Sequence, residues 1–390
     1  MIAAQFVALI VLAIWIYLLL ARGGFWRAVE RDDGAVPSAR ADVLWPRVTA
    51  IIPARNEADV IAHSIDSLLR QRYAGALHLV VVDDGSRDGT AQCVAAAAQT
   101  ANAGARVTCL QSEPLPFGWT GKLWALAQGV RHVEHRSEQP EFIWLTDADI
   151  AYSDEVLTSI VRRAQAGGLV LTSLMAKLRC VSWAERALIP AMIFFFQMLY
   201  PFAWVNRATS RTAAAAGGCM LVRRGALTSI GGIDAIRAEL IDDCALARRL
   251  KQVGPISLHL SDGARSLRSY PRIGDIQRMI ARSAYSQLRR SPIWLIATVA
   301  GMLLTFVAPV VLAVFGSALP RWLGLAAWVL MGIAFLPTLR FYRASLWWAL
   351  SLPAIATAYT LFTVDSAYQH WRGRGGLWKG RVQAVSPDIR

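Results

Sequence analysis

The sequence predicts an α/β domain with a mainly parallel β-sheet, flanked on both sides by apolar helices. Stretches typical of strands alternate with stretches of helical spacing between residues 48 and 176, which is the pattern of a sheet whose strands are joined by helices. Long uncharged runs stand before and after this region. Hydrophobic residues make up 55% of the 390-residue chain. Because they are concentrated in runs, they indicate a membrane protein.

The first apolar run, residues 2–20, contains no charged residue and is long enough to cross a bilayer core of about 30 Å as a helix. Basic residues follow this run, beginning with Arg22 and Arg27, whereas a secretory signal peptide carries its positive charge in front. We therefore expect an uncleaved anchor whose C-terminal flank lies in the cytoplasm.

Three further uncharged runs, residues 293–319, 322–339 and 344–364, are each long enough to be a membrane helix. Four crossings would place the basic tail outside, against the positive-inside tendency, so one of the last runs is a candidate for a re-entrant or interfacial segment. The expected organisation is an anchor at 1–21, an α/β domain at 45–290, membrane helices at 292–365 and a basic tail at 366–390 that includes Arg372, Arg374, Lys379 and Arg381.

The chain is strongly basic, with 41 Lys and Arg against 27 Asp and Glu and a net charge of +14. Beside membrane helices, attraction to anionic lipid head groups explains this charge better than nucleic acid does, and no nucleic-acid partner is predicted. The five cysteines are scattered and form no CxxC pair, so neither a zinc site nor a disulfide framework is expected.

Polar motifs follow three of the predicted strands. The strands are expected at 48–54, 77–85, 105–112, 142–149 and 168–176, and helices include 59–71 and 122–133. PARNE (53–57) follows the first strand, DDGSRDGT (83–90) the second and TDAD (146–149) the fourth. Since ligands bind at the carboxyl ends of the strands in such sheets, these motifs predict one cleft.

Two acidic motifs carry the chemistry expected of this cleft. Asp147 and Asp149 stand two residues apart at a strand end, where they suit a hard divalent cation that in turn binds a diphosphate; the alternative is a solvated turn. Asp83 and Asp84 end another strand, and Gly85 permits close approach of a ligand. The alternative there is a turn that caps the next helix, a role expected for Asp88.

Two later stretches suit phosphate binding and proton transfer. Lys122 follows glycines 118 and 121 at a predicted helix start, an arrangement that suits a phosphate without matching a Walker A loop; a turn with an exposed lysine is the alternative. Asp242 and Asp243 stand near the start of another helix, where the helix dipole explains them. Equally, a carboxylate there can act as a general base toward an acceptor hydroxyl.

Together and in this order, the motifs resemble the family 2 glycosyltransferases, inverting enzymes with a GT-A fold, over about residues 48–290. With its flanking apolar helices the chain is most similar to the hopene-associated glycosyltransferases of bacteria. The resemblance implies that a nucleotide-sugar site is formed by Pro53, Ala54, Asn56, Glu57, Asp84, Lys122 and Asp147. It also implies that Asp147 and Asp149 hold Mg²⁺ or Mn²⁺ together with the donor diphosphate.

On the acceptor side, the resemblance implies that Gly217, Gly218 and Cys219 line the sugar and acceptor pocket. Asp243 is the expected base, and Asp242 replaces the family's Glu before it. The stretch at 277–290 lacks the Trp of the QxxRW motif, so processive synthesis is not expected. Arg278 and Arg282 share a helix face there and either clamp the leaving diphosphate or form a basic helix on the membrane surface.

Residues 183–206 form another apolar stretch, located between the DxD pair and Asp243. A single crossing there would place the metal site and the base on opposite sides of the membrane. We therefore expect this segment to lie in the interface, where it can admit a lipid acceptor.

The expected protein is a multi-pass glycosyltransferase of the bacterial inner membrane whose catalytic domain faces the cytoplasm. It would move a sugar from a nucleotide sugar, with a UDP-sugar favoured, to the hydroxyl of a hopanoid or another polyisoprenoid lipid. One alternative is a ceramide or polyprenyl-phosphate glycosyltransferase. Another is a non-catalytic scaffold that binds nucleotide sugars in a lipid pathway.

Overall fold

The computed structural model describes residues 2–33, 45–378 and 381–382. It contains an eight-stranded main sheet in these residues and a small antiparallel pair near the C-terminus. The strands of the main sheet are β1 (Val48–Ala54), β2 (Leu77–Asp83), β3 (Val107–Gln111), β4 (Phe142–Thr146), β5 (Ile150–Tyr152), β6 (Leu171–Lys177), β7 (Cys219–Arg223) and β8 (Ile256–Ser266). The small pair is β9 (Leu377–Trp378) with β10 (Arg381–Val382).

The main sheet has the order β3–β2–β1–β4–β7–β6–β8–β5. Strand β1 pairs in parallel with both β2 and β4, and β2 pairs in parallel with β3. Strand β7 runs antiparallel to β4 and β6. The predicted, mainly parallel sheet is confirmed, with antiparallel pairs at β7 and between β5 and β8. The three strands that precede the polar motifs are neighbours. Since the order reverses at β1 and β4, their carboxyl ends open a crevice of the kind that binds ligands.

Helices cover both faces of the sheet and continue into the apolar regions. The helices up to residue 250 are α1 (Ile2–Leu20), α2 (Ile61–Leu69), α3 (Thr90–Thr100), α4 (Gly121–Glu134), α5 (Val156–Ala166), α6 (Trp183–Leu199), α7 (Phe202–Val205), α8 (Arg224–Ser229) and α9 (Asp242–Leu250). Those after it are α10 (Ile273–Ala281), α11 (Ala284–Gln287), α12 (Pro292–Met302), α13 (Ala308–Phe315), α14 (Ala318–Phe341) and α15 (Leu352–Trp371).

Strand β1 shows why the sheet needs two helical layers. All seven of its residues are buried, and successive side chains of a strand point to opposite faces. Ile51 joins the core that contains α4, whereas Ala50 and Ile52 join the core that contains α2 and α5. A Cβ on Gly129 of α4 would lie 2.5 Å from Ile51 Cγ2, so a glycine at this position lets α4 pack closely on the sheet.

Three helical segments in the described residues are long and apolar enough to span a membrane: Ile2–Leu20, Pro292–Phe315 and Ala318–Phe341. The expected fourth, at 344–364, is not among them. It divides into a 3₁₀ turn at Leu346–Ala349 and helix α15. Helix α15 packs instead on the helices of the α/β region: Tyr359 donates to the carbonyl of Leu188 (2.8 Å), and Gln277 donates to Asp365 (3.1 Å). Of the expected basic tail, Lys379 lies outside the described residues.

The second apolar segment is interrupted by a π-helical turn at Leu303–Val307. Pro309 has no N–H to donate to the carbonyl four residues earlier, that of Thr305. The indole of Trp15 on α1 donates to this carbonyl at 2.8 Å. Because a carbonyl without a partner is costly in hydrocarbon, this bond explains how the proline is tolerated and joins the first helix to the C-terminal ones.

Helix α6 lies where the sheet domain meets the apolar helices. Its first turn has a capping box formed by Ser182 and Glu185. The ring of Phe194 lies 5.3 Å from that of Phe25 and 5.3 Å from that of Phe335. Most of the helix is buried, which follows from its apolar sequence on all sides. A position of residues 183–206 in the membrane interface stays a prediction.

Close packing of α13 on α14 depends on Gly324. A Cβ there would lie 2.6 Å from Leu312 Cβ and 2.8 Å from the carbonyl oxygen of Pro309, and small residues allow such close approach in membrane helices. We expect Gly324→Ala to lower the melting temperature in detergent, because the helices must move apart. The control is Gly301→Ala, where a Cβ meets nothing within 4 Å. Equal melting temperatures for the two variants would contradict this packing.

Candidate active site

The loops after β1 and β2 are bound to each other by hydrogen bonds. The N–H of Asn56 donates to Ser86 Oγ (2.9 Å), and the N–H of Arg87 donates to Asn56 Oδ1 (2.9 Å). Asn56 has a φ of 50°, a left-handed conformation that Asn tolerates better than most residues. The PARNE and DDGS motifs therefore form one hydrogen-bonded double loop at the crevice.

Several of the predicted nucleotide-binding residues are buried in or under this double loop. Pro53 and Ala54 belong to β1, and the carbonyl of Ala54 accepts from Asp84 N–H (2.8 Å). Asp84 is only 2% exposed, and Arg55 Nη1 lies 3.4 Å from its Oδ2. Asp88 accepts from the N–H of Thr90 (3.1 Å) at the start of α3, as the capping alternative predicts. Contact of these residues with a nucleotide stays a prediction.

Lys122 joins two of the predicted acidic motifs. It lies in the first turn of α4, whose N-cap Thr120 accepts from Leu123 N–H. Its Nζ lies 2.8 Å from Asp147 Oδ1, just beyond the end of β4, and 3.1 Å from Asp242 Oδ2 at the start of α9. Burial alone would lower the pKa of Lys122, but these carboxylates outweigh it and raise the pKa, so the amine is charged.

Arg268 joins two further acids, Glu57 and Asp149. It follows β8, and its Nε lies 2.9 Å from Asp149 Oδ2. Its Nη2 lies 2.8 and 2.6 Å from the two carboxylate oxygens of Glu57. Glu57 is 7% exposed, so this guanidinium compensates a carboxylate that is largely removed from water.

Asp243 is held by backbone donors at the start of α9. Its Oδ2 accepts from Gly217 N–H (3.0 Å) and its Oδ1 from Cys244 N–H (2.7 Å). Burial raises the pKa of Asp243 to about 6, and neighbouring Asp242 adds to the rise, while Lys122 opposes it. A carboxylate with its pKa near neutrality is suited to accept a proton.

Gly217 is placed so that a side chain would disturb this arrangement. A Cβ there would lie 3.2 Å from Lys122 Nζ and 3.6 Å from Asp243 Oδ2. The carbonyl of Gly218 accepts from the hydroxyl of Tyr152 (2.6 Å). Cys219 is fully buried, and its sulfur accepts from the indole of Trp144 (3.3 Å). Strand β7 thus directs the Cys219 side chain into the core, and a sugar and acceptor pocket lined by Gly217, Gly218 and Cys219 stays a prediction.

Arg278 on α10 and Arg282 at the C-terminal end of this helix have different surroundings. Arg278 is exposed and forms an ion pair with Asp275 on its own helix (2.5 Å). Arg282 is close enough to Tyr270 to lower its pKa, although burial and Asp149 together raise the Tyr270 pKa to about 12. Arg282 thus lies near Tyr270, and a diphosphate clamp formed by Arg278 and Arg282 stays a prediction.

The acidic cluster suits a divalent cation by its chemistry. Glu57, Asp147, Asp149, Asp242 and Asp243 gather around two cationic side chains, those of Lys122 and Arg268. The acids outnumber the cations, and carboxylate oxygen is the ligand that Mg²⁺ and Mn²⁺ prefer. Across the residues described, no three Asp, Glu, His or Cys side chains converge closely enough to hold a metal ion. A bound diphosphate and water would therefore have to supply further ligands.

Arg268 was not among the residues singled out from the sequence. Its signal lies in the stretch before it, ISLHLS (256–261), where apolar and polar residues alternate as in a strand. That strand is β8, and Arg268 lies two residues beyond its end. The pairing of this side chain with Glu57, 211 positions away, depends on the order of strands in the sheet.

The mixed sheet with its cluster of acids at the strand ends, and the comparisons with known proteins, define a glycosyltransferase. A sequence model described as "Glycosyltransferase like family 2" matches residues 46–262. The chain belongs to this family.

Two relatives extend the comparison. An N-acetylglucosaminyltransferase of Rhizobium sp. (strain N33) is 28% identical over 198 residues, which are 48% of this chain and 39% of that protein. The chain thus matches well under half of the length of this curated relative. Mannosyltransferase PcManGT from Pyrobaculum calidifontis, solved in complex with GDP-Man and Mn²⁺, has a TM-score of 0.56 at 21% identity. The similarity covers 97% of this chain and 100% of that one, and it shows the GT-A fold.

We expect Arg268→Ala to destabilise the protein, because it leaves Glu57 and Asp149 without their shared cation. Breaking a buried ion pair costs about 3–5 kcal/mol, and partial exposure places this site at the lower end. Thermal melting in detergent measures the effect. Arg265→Ala, an exposed arginine on β8 that donates to the carbonyl of Asp262, is the matched control. Unchanged melting of the Arg268 variant would show that the pair does not stabilise the fold.

Proposed function

We propose that the protein is a membrane-anchored inverting glycosyltransferase that moves a sugar from a nucleotide sugar to a lipid hydroxyl. The observation that carries the proposal is the placement of Asp243, a carboxylate with its pKa raised to about 6, beside the Lys122 that binds Asp147 of the DxD pair. A base and a diphosphate-binding motif at one strand edge are what displacement at a sugar carbon requires.

In the proposed reaction the acceptor hydroxyl attacks the anomeric carbon of the donor sugar. The new C–O bond forms as the bond from that carbon to the diphosphate breaks. The hydroxyl proton passes to Asp243, and the nucleoside diphosphate departs with the bonding electron pair. Asp243 is held by Gly217 and Cys244 N–H groups, so its orientation is fixed before the acceptor arrives. The charged amine of Lys122 lies where it can stabilise the departing diphosphate.

Asp147 and Asp149 would hold the divalent cation, Mg²⁺ or Mn²⁺, which supplies charge stabilisation for the leaving diphosphate. Both carboxylates are bound to cationic side chains in the structure, Asp147 to Lys122 and Asp149 to Arg268. The PcManGT mannosyltransferase, solved with Mn²⁺, supports the assignment by its fold.

The apolar helices support a lipid acceptor and a cytoplasmic catalytic domain. With residues 2–20 crossing toward the cytoplasm, and 292–315 and 318–341 crossing out and back, both the α/β domain and α15 lie on one side. This arrangement keeps Arg22 and Arg372 in the cytoplasm, as the positive-inside tendency favours. We further propose that the protein lies in the bacterial inner membrane and uses a UDP-sugar as donor. The proposed acceptor is a hopanoid or another polyisoprenoid lipid. Ceramide or a polyprenyl phosphate is the alternative acceptor.

The deciding experiment compares membranes that contain wild type with membranes that contain Asp243→Asn. Each is incubated with UDP- and GDP-sugars, Mn²⁺ and total bacterial lipid, and products are sought by mass spectrometry. We expect a lipid heavier by one sugar residue only with wild type, and nucleotide-sugar binding in both. Loss of binding together with turnover would mean that Asp243 is structural. Donor binding without any lipid product from wild type would favour a non-catalytic scaffold.

The pH dependence of the rate tests the role of Asp243 separately. The base must be ionised, and its pKa is about 6. We therefore expect kcat/KM to be constant above this pH and to fall about tenfold per pH unit below it. Initial rates at low acceptor concentration measure this profile. A profile that stays flat between about pH 5 and 8 would contradict a base with this pKa.

Replacing Asp149 tests whether this residue binds a divalent cation that contributes to nucleotide-sugar binding. We expect Asp149→Ala to weaken nucleotide-sugar binding at least about tenfold when Mn²⁺ is present, which corresponds to about 1.4 kcal/mol, and much less in chelator. Asp154→Ala, an acid paired with Arg72 outside the cluster, is the control. Equal weakening of binding with Mn²⁺ and with chelator would argue against a metal on Asp149.

A further inference from the structure

Each acid of the DxD pair already has a cationic partner from the protein itself. Asp147 Oδ1 lies 2.8 Å from Lys122 Nζ, and Asp149 Oδ2 lies 2.9 Å from Arg268 Nε. An oxygen that already accepts from a guanidinium is a poor ligand for a second cation, because the two positive charges repel each other at short distance. A divalent cation that binds Asp149 must therefore compete with Arg268.

The guanidinium of Arg268 divides its donors between two carboxylates. Its Nε donates to Asp149, and its Nη2 lies 2.8 and 2.6 Å from the two carboxylate oxygens of Glu57. Glu57 is held at its backbone, since its N–H donates to Thr90 Oγ1 (2.9 Å). If Arg268 left Asp149, it would keep its charge-assisted hydrogen bonds to Glu57. Glu57 is therefore a partner for Arg268 that does not depend on Asp149.

The main chain around Arg268 is hydrogen-bonded on both sides. The N–H of Leu267 donates to the backbone carbonyl of Asp149 (2.8 Å), and the N–H of Tyr270 donates to Glu185 Oε1 (2.7 Å). Glu185 is 1% exposed, whereas the Arg268 side chain is 29% exposed. A change of partner at Asp149 thus requires a movement of the Arg268 side chain, which has solvent on one side, and not of its loop.

The charge of this group favours a divalent cation only when an anion accompanies it. Glu57, Asp149 and Arg268 together carry a net charge of −1, from two carboxylates and one guanidinium. A divalent cation alone would change this charge to +1, beside a guanidinium that repels it. A nucleoside diphosphate brings negative oxygens that bind both a divalent cation and an arginine.

We propose that Arg268 is a positioning residue that makes binding of the divalent cation depend on the donor diphosphate. Without donor, Arg268 occupies Asp149 and disfavours a lone cation. With donor, Arg268 releases Asp149 and stays bound to Glu57. The inference rests on the proposed function for the metal role of Asp149. It goes further by assigning to Arg268 the coupling between the two ligands, so that the crevice takes up the cation together with its substrate and not beforehand.

Binding of Mn²⁺ to the full chain in detergent tests this coupling without any turnover. Free Mn²⁺ is measured by electron paramagnetic resonance without nucleotide and with UDP or GDP, after correction for the Mn²⁺–nucleotide complex that forms without protein. For wild type we expect the nucleotide to tighten Mn²⁺ binding at least about tenfold. By linkage, Mn²⁺ must tighten nucleotide binding by the same factor. Equal Mn²⁺ binding by wild type with and without nucleotide would overturn the proposal.

Two substitutions separate the charge of Arg268 from its shape. We expect Arg268→Gln to bind Mn²⁺ without nucleotide at least about tenfold more tightly than wild type, because the competing charge is removed. Arg268→Lys keeps a positive charge beside Asp149 and should bind Mn²⁺ alone as weakly as wild type does. Weaker Mn²⁺ binding by Arg268→Gln than by wild type would mean that the arginine orients Asp149 for the cation, and would overturn the proposal.

The matched control is Arg265→Gln, which removes the same charge from an exposed arginine on β8 and should bind Mn²⁺ as wild type does. An equal gain in this variant would show a general charge effect and contradict the role of Arg268. Misfolding of Arg268→Gln would weaken Mn²⁺ binding and not tighten it. In addition, Mn²⁺ should raise the melting temperature of this variant more than that of wild type. If the variant does not fold, the coupling measured in wild type decides.

This inference and the proposed function fail in different ways. Sugar transfer by a protein whose Mn²⁺ binding is indifferent to Arg268 would contradict the inference and leave the glycosyltransferase proposal standing. Coupled binding that depends on Arg268, with no sugar transfer from any donor, would contradict the transfer proposal alone. Absence of Mn²⁺ binding by wild type with either nucleotide would contradict the metal role of Asp149 and the inference with it.

Discussion

The arrangement of the crevice depends on two cations that each bind two acids from different segments. Lys122 joins the end of β4 to the start of α9 through Asp147 and Asp242, and Arg268 joins the loop after β1 to the turn after β4. Carboxylates removed from water repel one another and raise one another's pKa unless cations lie between them. Lys122 and Arg268 therefore allow several carboxylates to lie close together at this edge of the sheet. Without these two cations, repulsion between the carboxylates would disfavour that arrangement.

The same balance accounts for the behaviour expected of Asp243. Burial is the main cause of its raised pKa, repulsion from neighbouring Asp242 adds to the rise, and attraction to Lys122 opposes it. A stronger cation contact would keep the carboxylate ionised but weaken it as a base. The position of Lys122 on α4 thus affects the pKa of Asp243 on α9.

Much of the fold could be predicted because the relevant signals are local. The run VTAIIPA is strand β1 with the predicted ends, and the three polar motifs are carried by neighbouring parallel strands as expected. The role of Arg268 could not be found in this way, since its partners are set by strand order. The run at 344–364 has the lack of charge typical of a membrane helix, and the structure divides it into a 3₁₀ turn and helix α15. A membrane crossing by this run stays a prediction.

The hydrogen bond from Trp15 to the carbonyl of Thr305 joins the first helix to the C-terminal apolar helices. Together with Arg22, which donates to the carbonyl of Met198 (3.1 Å), it ties the start of the chain to the C-terminal helices and to α6. A fragment that begins after residue 20 would leave the Thr305 carbonyl without the Trp15 donor that replaces the missing N–H of Pro309. The first helix thus contacts both the C-terminal apolar helices and the α/β domain, which favours purification of the full chain.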